Sequence, residues 1–224
     1  MSEAGRSRRK LLVWDLPIRL FHWSMAALVL ALYLTSRWNR MDWHVRAGDA
    51  LLALILFRLL WGFFGSDTAR FARFVRSPGA VLRYLAGLLR QGPDDQPGRN
   101  PAGGWMVVAM LALLLAQSLT GVFVLNDVVN EGPFTELVPT AVANAMTALH
   151  DAVLWDLLLA AIALHILAVL GYALVKRHDL TRPMLTGCKW LPEATPRPGM
   201  ARPALGVLLL ASAAGLAALL ADKL

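Results

Sequence analysis

The chain has 224 residues, 57% of them hydrophobic, and a mean hydropathy of +0.53. A water-soluble domain averages about 45–50% apolar residues, so the excess belongs in lipid. The formal net charge of +7 is gathered between the apolar runs, as in membrane-protein loops, which argues against nucleic acid as a partner.

A membrane-spanning helix needs about 20 predominantly apolar residues. Residues 1–17 form a basic tail carrying Arg6, Arg8, Arg9 and Lys10. The first span covers 18–36. It does not read as a cleavable signal, because Arg37, Arg40 and Asp42 follow it without a small-residue cleavage site. The second span covers 45–64. In 68–90, Phe71, Phe74, Val75, Val81, Leu82, Leu85 and Leu88 alternate with arginines at helical spacing, broken at Pro78. Such a basic amphipathic stretch lies in the membrane interface, the alternative being a docking surface for a partner subunit. Residues 91–101 are a Gly/Pro/Asp-rich exposed linker. The third span covers 104–125. The fourth, 145–175, exceeds what a bilayer needs and must tilt or project. Residues 177–203 are a basic loop, and 204–224 hold a fifth, shorter span at 205–221. The single cysteine, Cys188, excludes an intrachain disulfide and an all-cysteine cluster within one chain. No internal repeat is visible. The pattern predicts an all-α integral membrane protein, with a four-helix transmembrane bundle over 18–176 and a fifth, C-terminal helix.

Charge sets the orientation. Arg70, Arg73, Arg76, Arg83, Arg90 and Arg99 fill the connection between spans two and three. Lys176, Arg177, Arg182, Lys189, Arg197 and Arg202 follow span four. The opposite side has Arg37, Arg40 and Arg46 in one loop and no basic residue in the other, which instead holds Asp127, Glu131 and Glu136. The positive-inside rule places the N-terminus in the cytoplasm.

Four of the five histidines, His22, His44, His150 and His165, sit in or at the ends of apolar segments. An ionisable ring at membrane depth is costly and marks function by default. With the N-terminus inside, His22 lies near the cytoplasmic face and His44 at the outer start of span two. His150 is near the outer end of span four, with His165 deeper. The fifteen residues between them amount to about 22 Å of rise and about 60° of rotation, one face at two depths. His22 then matches the depth of His165, and His44 that of His150. Two facing imidazoles at each level are what a bis-histidine heme takes. Zinc would need three or four clustered ligands. Each histidine also has a plainer reading as a packing residue or proton relay, and for His44 an interfacial role beside Trp43. His178 reads as a solvated loop residue.

Around these rings, Gly48 lies one turn beyond His44, and Gly121 interrupts span three. Each glycine either leaves room for a porphyrin or serves helix packing. Arg58 either snorkels to water or pairs with a heme propionate. Arg19 has the same two readings, as a positive-inside anchor or a propionate partner. Trp14, Trp23, Trp43, Trp61, Trp105 and Trp155 read mostly as aromatic-belt residues.

Several motifs occur in order: Val13-Trp14-Asp15-Leu16-Pro17-Ile18-Arg19-Leu20-Phe21-His22-Trp23, His44-x-x-x-Gly48, Phe57-Arg58-Leu59-Leu60-Trp61-Gly62-Phe63-Phe64-Gly65, Asn100-Pro101-Ala102-Gly103-Gly104, Gln117-Ser118-Leu119-Thr120-Gly121, His150-Asp151 and Leu164-His165-Ile166. Together they resemble bacterial cytochrome b561 and nickel–iron hydrogenase cytochrome b subunits over roughly residues 11–190. The resemblance implies a four-helix membrane core with two b-type hemes, ligated by His22, His44, His150 and His165. It also implies electron exchange with quinone or redox partners. Two positions depart from the family pattern: Asp151, where relatives often have glutamate, and Arg99, where some have histidine.

The expected function is a multi-pass electron carrier of the bacterial cytoplasmic (inner) membrane, an electron-transfer protein or a subunit of a respiratory oxidoreductase. It would work between quinone and a periplasmic c-type cytochrome or a dehydrogenase or hydrogenase subunit. Asp15 and Arg19 on one side, or Asp127 and Asp151 on the other, either exchange protons beside a quinone or are plain charged residues of the interface, the commoner reading. A homodimer is compatible with the sequence. The alternatives are a stand-alone superoxide:quinone oxidoreductase and, from another class, a heme-free membrane anchor or transporter.

Overall fold

The computed structural model describes residues 7–88, 95–125 and 132–221. Arg6, Arg90, Asp127 and Glu131 of the charge reading lie outside them. In chain order the elements are β1 (Arg8–Leu12), α1 (Leu16–Arg37), α2 (Met41–Phe64), α3 (Phe71–Phe74), α4 (Pro78–Ala86) and α5 (Pro101–Gly121). They continue with a single 3₁₀ turn (Thr135–Leu137), α6 (Thr140–Ala148), a π turn (Leu149–Val153), α7 (Leu154–Leu174), α8 (Thr181–Thr186), β2 (Cys188–Pro192) and α9 (Pro203–Ala221). The protein is an all-α membrane protein whose α1, α2, α5, 140–174 run and α9 are each long and apolar enough to cross a bilayer.

Their starts follow from local chemistry. Asp15 caps α1, its Oδ1 accepting the Ile18 N–H at 2.8 Å. Asn100 caps α5 in the same way through the Gly103 N–H at 2.7 Å, with Pro101 at the first helical position. The amphipathic stretch is broken ahead of Pro78, as expected, and Pro78 opens α4. No residue of α4 is buried, and Leu82 and Leu85 point outward, as a helix lying in the interface requires. Gly121 is the last residue of α5 and does not interrupt its interior. The fourth span is a continuous run of 35 residues, Thr140–Leu174, about 52 Å long. The π turn at Leu149–Val153 shifts its register by about one residue relative to an uninterrupted α-helix.

The chain divides into two compact units. One comprises 1–20, 60–108 and 164–206. Here β1 and β2 pair antiparallel, Arg8 opposite Pro192 and Leu12 opposite Cys188. Gly187, at φ +82°, ends α8, and its carbonyl accepts the N–H groups of Val13 and Trp14 at 2.8 and 3.0 Å. A β-carbon there would lie 2.7 Å from the Trp14 carbonyl oxygen, so glycine is required for both conformation and space. Thr68 Oγ1 donates to the Val13 carbonyl. Asp67 and Gly199 exchange two hydrogen bonds, and Arg8 reaches Asp95 at 2.8 Å. Arg99 bonds the Thr68 carbonyl and stacks 4.4 Å from the centre of the Trp14 ring. The tail, the connection between spans two and three, and the loop after span four are thus bonded to one another. All three must lie on one side of the membrane, as an even number of spans between them demands.

The same contacts reassign several side chains. Asp15 is buried, with Oδ2 accepting Trp61 Nε1–H at 3.0 Å. It caps α1 and braces the Trp61 indole. Arg19 donates to the Leu185 carbonyl at 2.5 Å, which ties the start of α1 to the end of α8. Trp14 and Trp61 are packed inside and do not belong to an aromatic belt, whereas Trp23, Trp43 and Trp105 stay exposed.

The second unit comprises 21–59, 109–163 and 207–224. Its core joins Met25 of α1, Leu51 and Ile55 of α2, Leu114 of α5 and Leu158 of α7, so four helices each contribute to one apolar cluster. On α9, Ala213 and Ala217 are buried one turn apart, the close approach that small residues permit between membrane helices. Leu157, Leu159, Val207 and Leu219 are among the large apolar side chains of this unit left outward, where lipid would cover them.

Candidate functional site

The second unit brings two of the four histidines together. His44, in the first turn of α2, and His150, on the π turn, have ring centroids 6.4 Å apart with planes at 83°. π turns inside α-helices are frequent at functional sites, because the extra residue redirects a side chain. The His44 Nδ1–H donates to the Leu32 carbonyl of α1 at 3.0 Å. The His150 Nδ1–H donates to the Gln117 carbonyl of α5 at 2.9 Å. A carbonyl can only accept, so Nδ1 carries the proton in both rings and Nε2 is left with its lone pair.

The surroundings are built for these rings. A β-carbon on Gly121 would lie 2.8 Å from His150 Cε1, so the glycine lets the imidazole rest directly against the end of α5. Gly48 has nothing within 4 Å of the position a β-carbon would take, and it borders open space. That space is a cavity of about 950 Å³ lined by both histidines, Gly48, Asp49, Gly121 and Asp151, among others. This lies at the upper end of the range for cofactor sites, about 300–1,000 Å³. Gln117 also donates its side-chain amide to the His150 carbonyl at 2.9 Å. Gln117 Oε1 and Ser118 Oγ, both on residues lining the cavity, are buried without a hydrogen-bond partner among the described residues. Tyr33 and Trp155 stack at 5.8 Å beside them.

This donor set fits an iron held by two imidazoles. One metal about 2 Å from each of two Nε2 atoms places the ring centroids about 6 Å apart, close to the 6.4 Å observed. No group of three or more His, Cys, Asp or Glu suited to a metal ion forms among the described residues. A b-type heme therefore suits the site better than a zinc-type centre.

The other two histidines fall in different units. His22 belongs to the second, half-buried, edge-on to Trp23 at 4.9 Å between centroids. His165 belongs to the first and is also half-buried. Arg58 is 1% exposed. A snorkelling arginine keeps its guanidinium in water, so burial removes that reading. The carbonyls of Leu32 and Gln117 and the hydroxyl of Thr35 escaped sequence reasoning, and Thr120 stood in the quoted Gln117-Ser118-Leu119-Thr120-Gly121 motif without a role of its own. Backbone acceptors leave no compositional trace, and an isolated threonine near a helix end reads as filler.

No curated protein and no solved structure matches the chain. A family model does, described as prokaryotic cytochrome b561, over residues 13–187. That span contains the capping Asp15, all four histidines and the glycine against His150. The chain belongs to the prokaryotic cytochrome b561 family and is a multi-pass membrane b-type cytochrome.

Proposed function

We propose that this chain is a di-heme electron carrier of the bacterial cytoplasmic membrane, with residues 18–176 as its heme domain. His44 and His150 hold an outer heme, and His22 and His165 hold an inner one. The observation that carries the reading is the His44–His150 pair, with each Nδ1–H committed to a backbone carbonyl and each Nε2 available to iron. When bound, each heme b supplies a one-electron iron centre. The chain's residues do the rest. The Leu32 and Gln117 carbonyls orient the rings and raise their basicity. Gly121 admits the His150 ring and Gly48 keeps the cavity clear. Arg58, on the apolar second span, has the planar fork suited to a propionate.

The N-terminus is cytoplasmic, an assignment supported by the arginines and lysines that gather on the side where the tail and both basic connections meet. Electrons would pass between quinone and a redox partner, a c-type cytochrome or a dehydrogenase or hydrogenase subunit. Detergent-purified protein is expected to show a reduced b-type absorption spectrum with about two hemes per chain. A colourless, stable preparation from heme-replete cells would refute the proposal. Orientation is read separately through the single thiol, Cys188, which is partly exposed on β2. A membrane-impermeant maleimide should label it in inverted vesicles and not in intact spheroplasts.

A further inference from the structure

The two histidines of the outer pair are held by the same device, built twice on different helices. On α1, the Leu32 carbonyl accepts His44 Nδ1–H, and Thr35 Oγ1, three residues on, lies 3.4 Å from the same Nδ1. On α5, the Gln117 carbonyl accepts His150 Nδ1–H, and Thr120 Oγ1, again three residues on, lies 3.4 Å from that Nδ1. Each hydroxyl also bonds back along its own helix. Thr35 reaches the Ala31 carbonyl at 2.7 Å and Leu32 at 3.1 Å; Thr120 reaches Ala116 at 2.9 Å and Gln117 at 3.1 Å. The spacing, the partners and the distances agree within a few tenths of an ångström.

A hydroxyl has one hydrogen and two acceptor lone pairs. In both copies the shortest contact takes the hydrogen to the carbonyl four residues back. Nδ1 already carries its own hydrogen, since a carbonyl accepts from it. The oxygen can then meet Nδ1 only as an acceptor. The imidazole N–H is therefore shared between a carbonyl at about 3 Å and a hydroxyl oxygen somewhat farther away.

Resting on the proposal that His44 and His150 bind the outer heme, we infer that Thr35 and Thr120 are matched positioning residues that set the electron-donating strength of the two axial imidazoles. Acceptors on Nδ1–H push the ring toward imidazolate character and make it a stronger donor to iron. A stronger donor favours the oxidised metal, so each threonine lowers the potential of the outer centre. Because the two copies are alike, their contributions are equal in sign and similar in size.

The test uses full-length holoprotein in detergent with Thr35→Val, Thr120→Val, the double variant, and Thr35→Ser and Thr120→Ser. Ser212→Ala is the control, a back-bonding hydroxyl on α9 that bonds the Leu208 carbonyl. Heme content, midpoint potential and the low-temperature EPR of the oxidised outer centre are measured. Each valine should favour the reduced form about threefold, ~28 mV positive at 59 mV per tenfold for one electron. The double variant should move about twice as far, the serines should stay near wild type, and Ser212→Ala should not move. Unchanged or more negative potentials in valine variants that keep both hemes would overturn the inference. If the valines lose the outer heme and the serines keep it, the hydroxyl is needed to hold the ring and the inference stands; if the serines lose it too, the inference fails. Wild type lacking an outer heme would instead refute the ligand assignment beneath it.

Discussion

In the unit that carries the chain's tail, Asp15, Asp67, Thr68 and Arg99 all close on protein partners. In the unit that carries His44 and His150, Gln117 Oε1 and Ser118 Oγ are buried without partners among the described residues. The exceptions in the first unit, Arg9 Nε and Arg19 Nε, belong to guanidinium groups whose terminal nitrogens are bonded to carbonyls. An unmet buried polar atom costs about 1–3 kcal/mol. The first unit has removed that cost by internal bonding, which is what a structural clasp does. The second retains it beside a cavity, which is what a cofactor site does.

The comparison can be broken most directly at the rings. His44→Ala and His150→Ala should each reduce heme content from about two to about one per chain, as read from the reduced absorption spectrum. Loss of both hemes in a folded variant would show that the two levels are not independent. Gly121→Ala comes next. Its new β-carbon would overlap His150 Cε1, a displacement of the kind that costs about 1–3 kcal/mol. Heme content at the outer site should fall while the inner centre keeps its spectrum.

The first unit should answer in stability and not in colour. Asp15→Ala removes a helix cap and the carboxylate that accepts Trp61 Nε1–H, together about 2–3 kcal/mol. Thermal denaturation should shift downward with about two hemes retained in the folded fraction; heme loss below the transition would blur the division between the units. The smallest effect belongs to Arg8→Ala. Its pairing with Asp95 is about two-fifths exposed on both sides, and exposed pairs of this kind contribute about 0–1 kcal/mol. A shift beyond that range would mean the strand pair depends on this contact.

Much of the architecture is legible from apolar length alone. The five spans expected at 18–36, 45–64, 104–125, 145–175 and 205–221 match helices whose ends differ by up to five residues. The differences have causes. Asn100-Pro101 starts α5 earlier than hydropathy suggests, and Gly121 stops it. Residues 140–144 are too mixed to read as span, yet they extend the fourth helix. The strand pair could not be read, because five-residue strands of mixed composition carry no clear period, and they lie far apart in the chain. The pairing of His44 with His150 was legible from charge-derived depth. The π turn that aims His150 was not, since nothing in Leu149–Val153 distinguishes it from ordinary helix.

The strand pair also has a meaning in time. β1 leaves the ribosome first, yet its partner β2 emerges only after four spans have been synthesised. At about 5–20 residues per second the delay is on the order of ten seconds or more. During that interval β1 has no strand partner, and Gly187, whose carbonyl receives Val13 and Trp14, has not yet been made. Closure of the ribbon is therefore a late biogenesis event that requires all four spans to have been threaded with the correct parity. A span left uninserted would put β1 and β2 on opposite sides of the bilayer, so the ribbon acts as a check on membrane assembly.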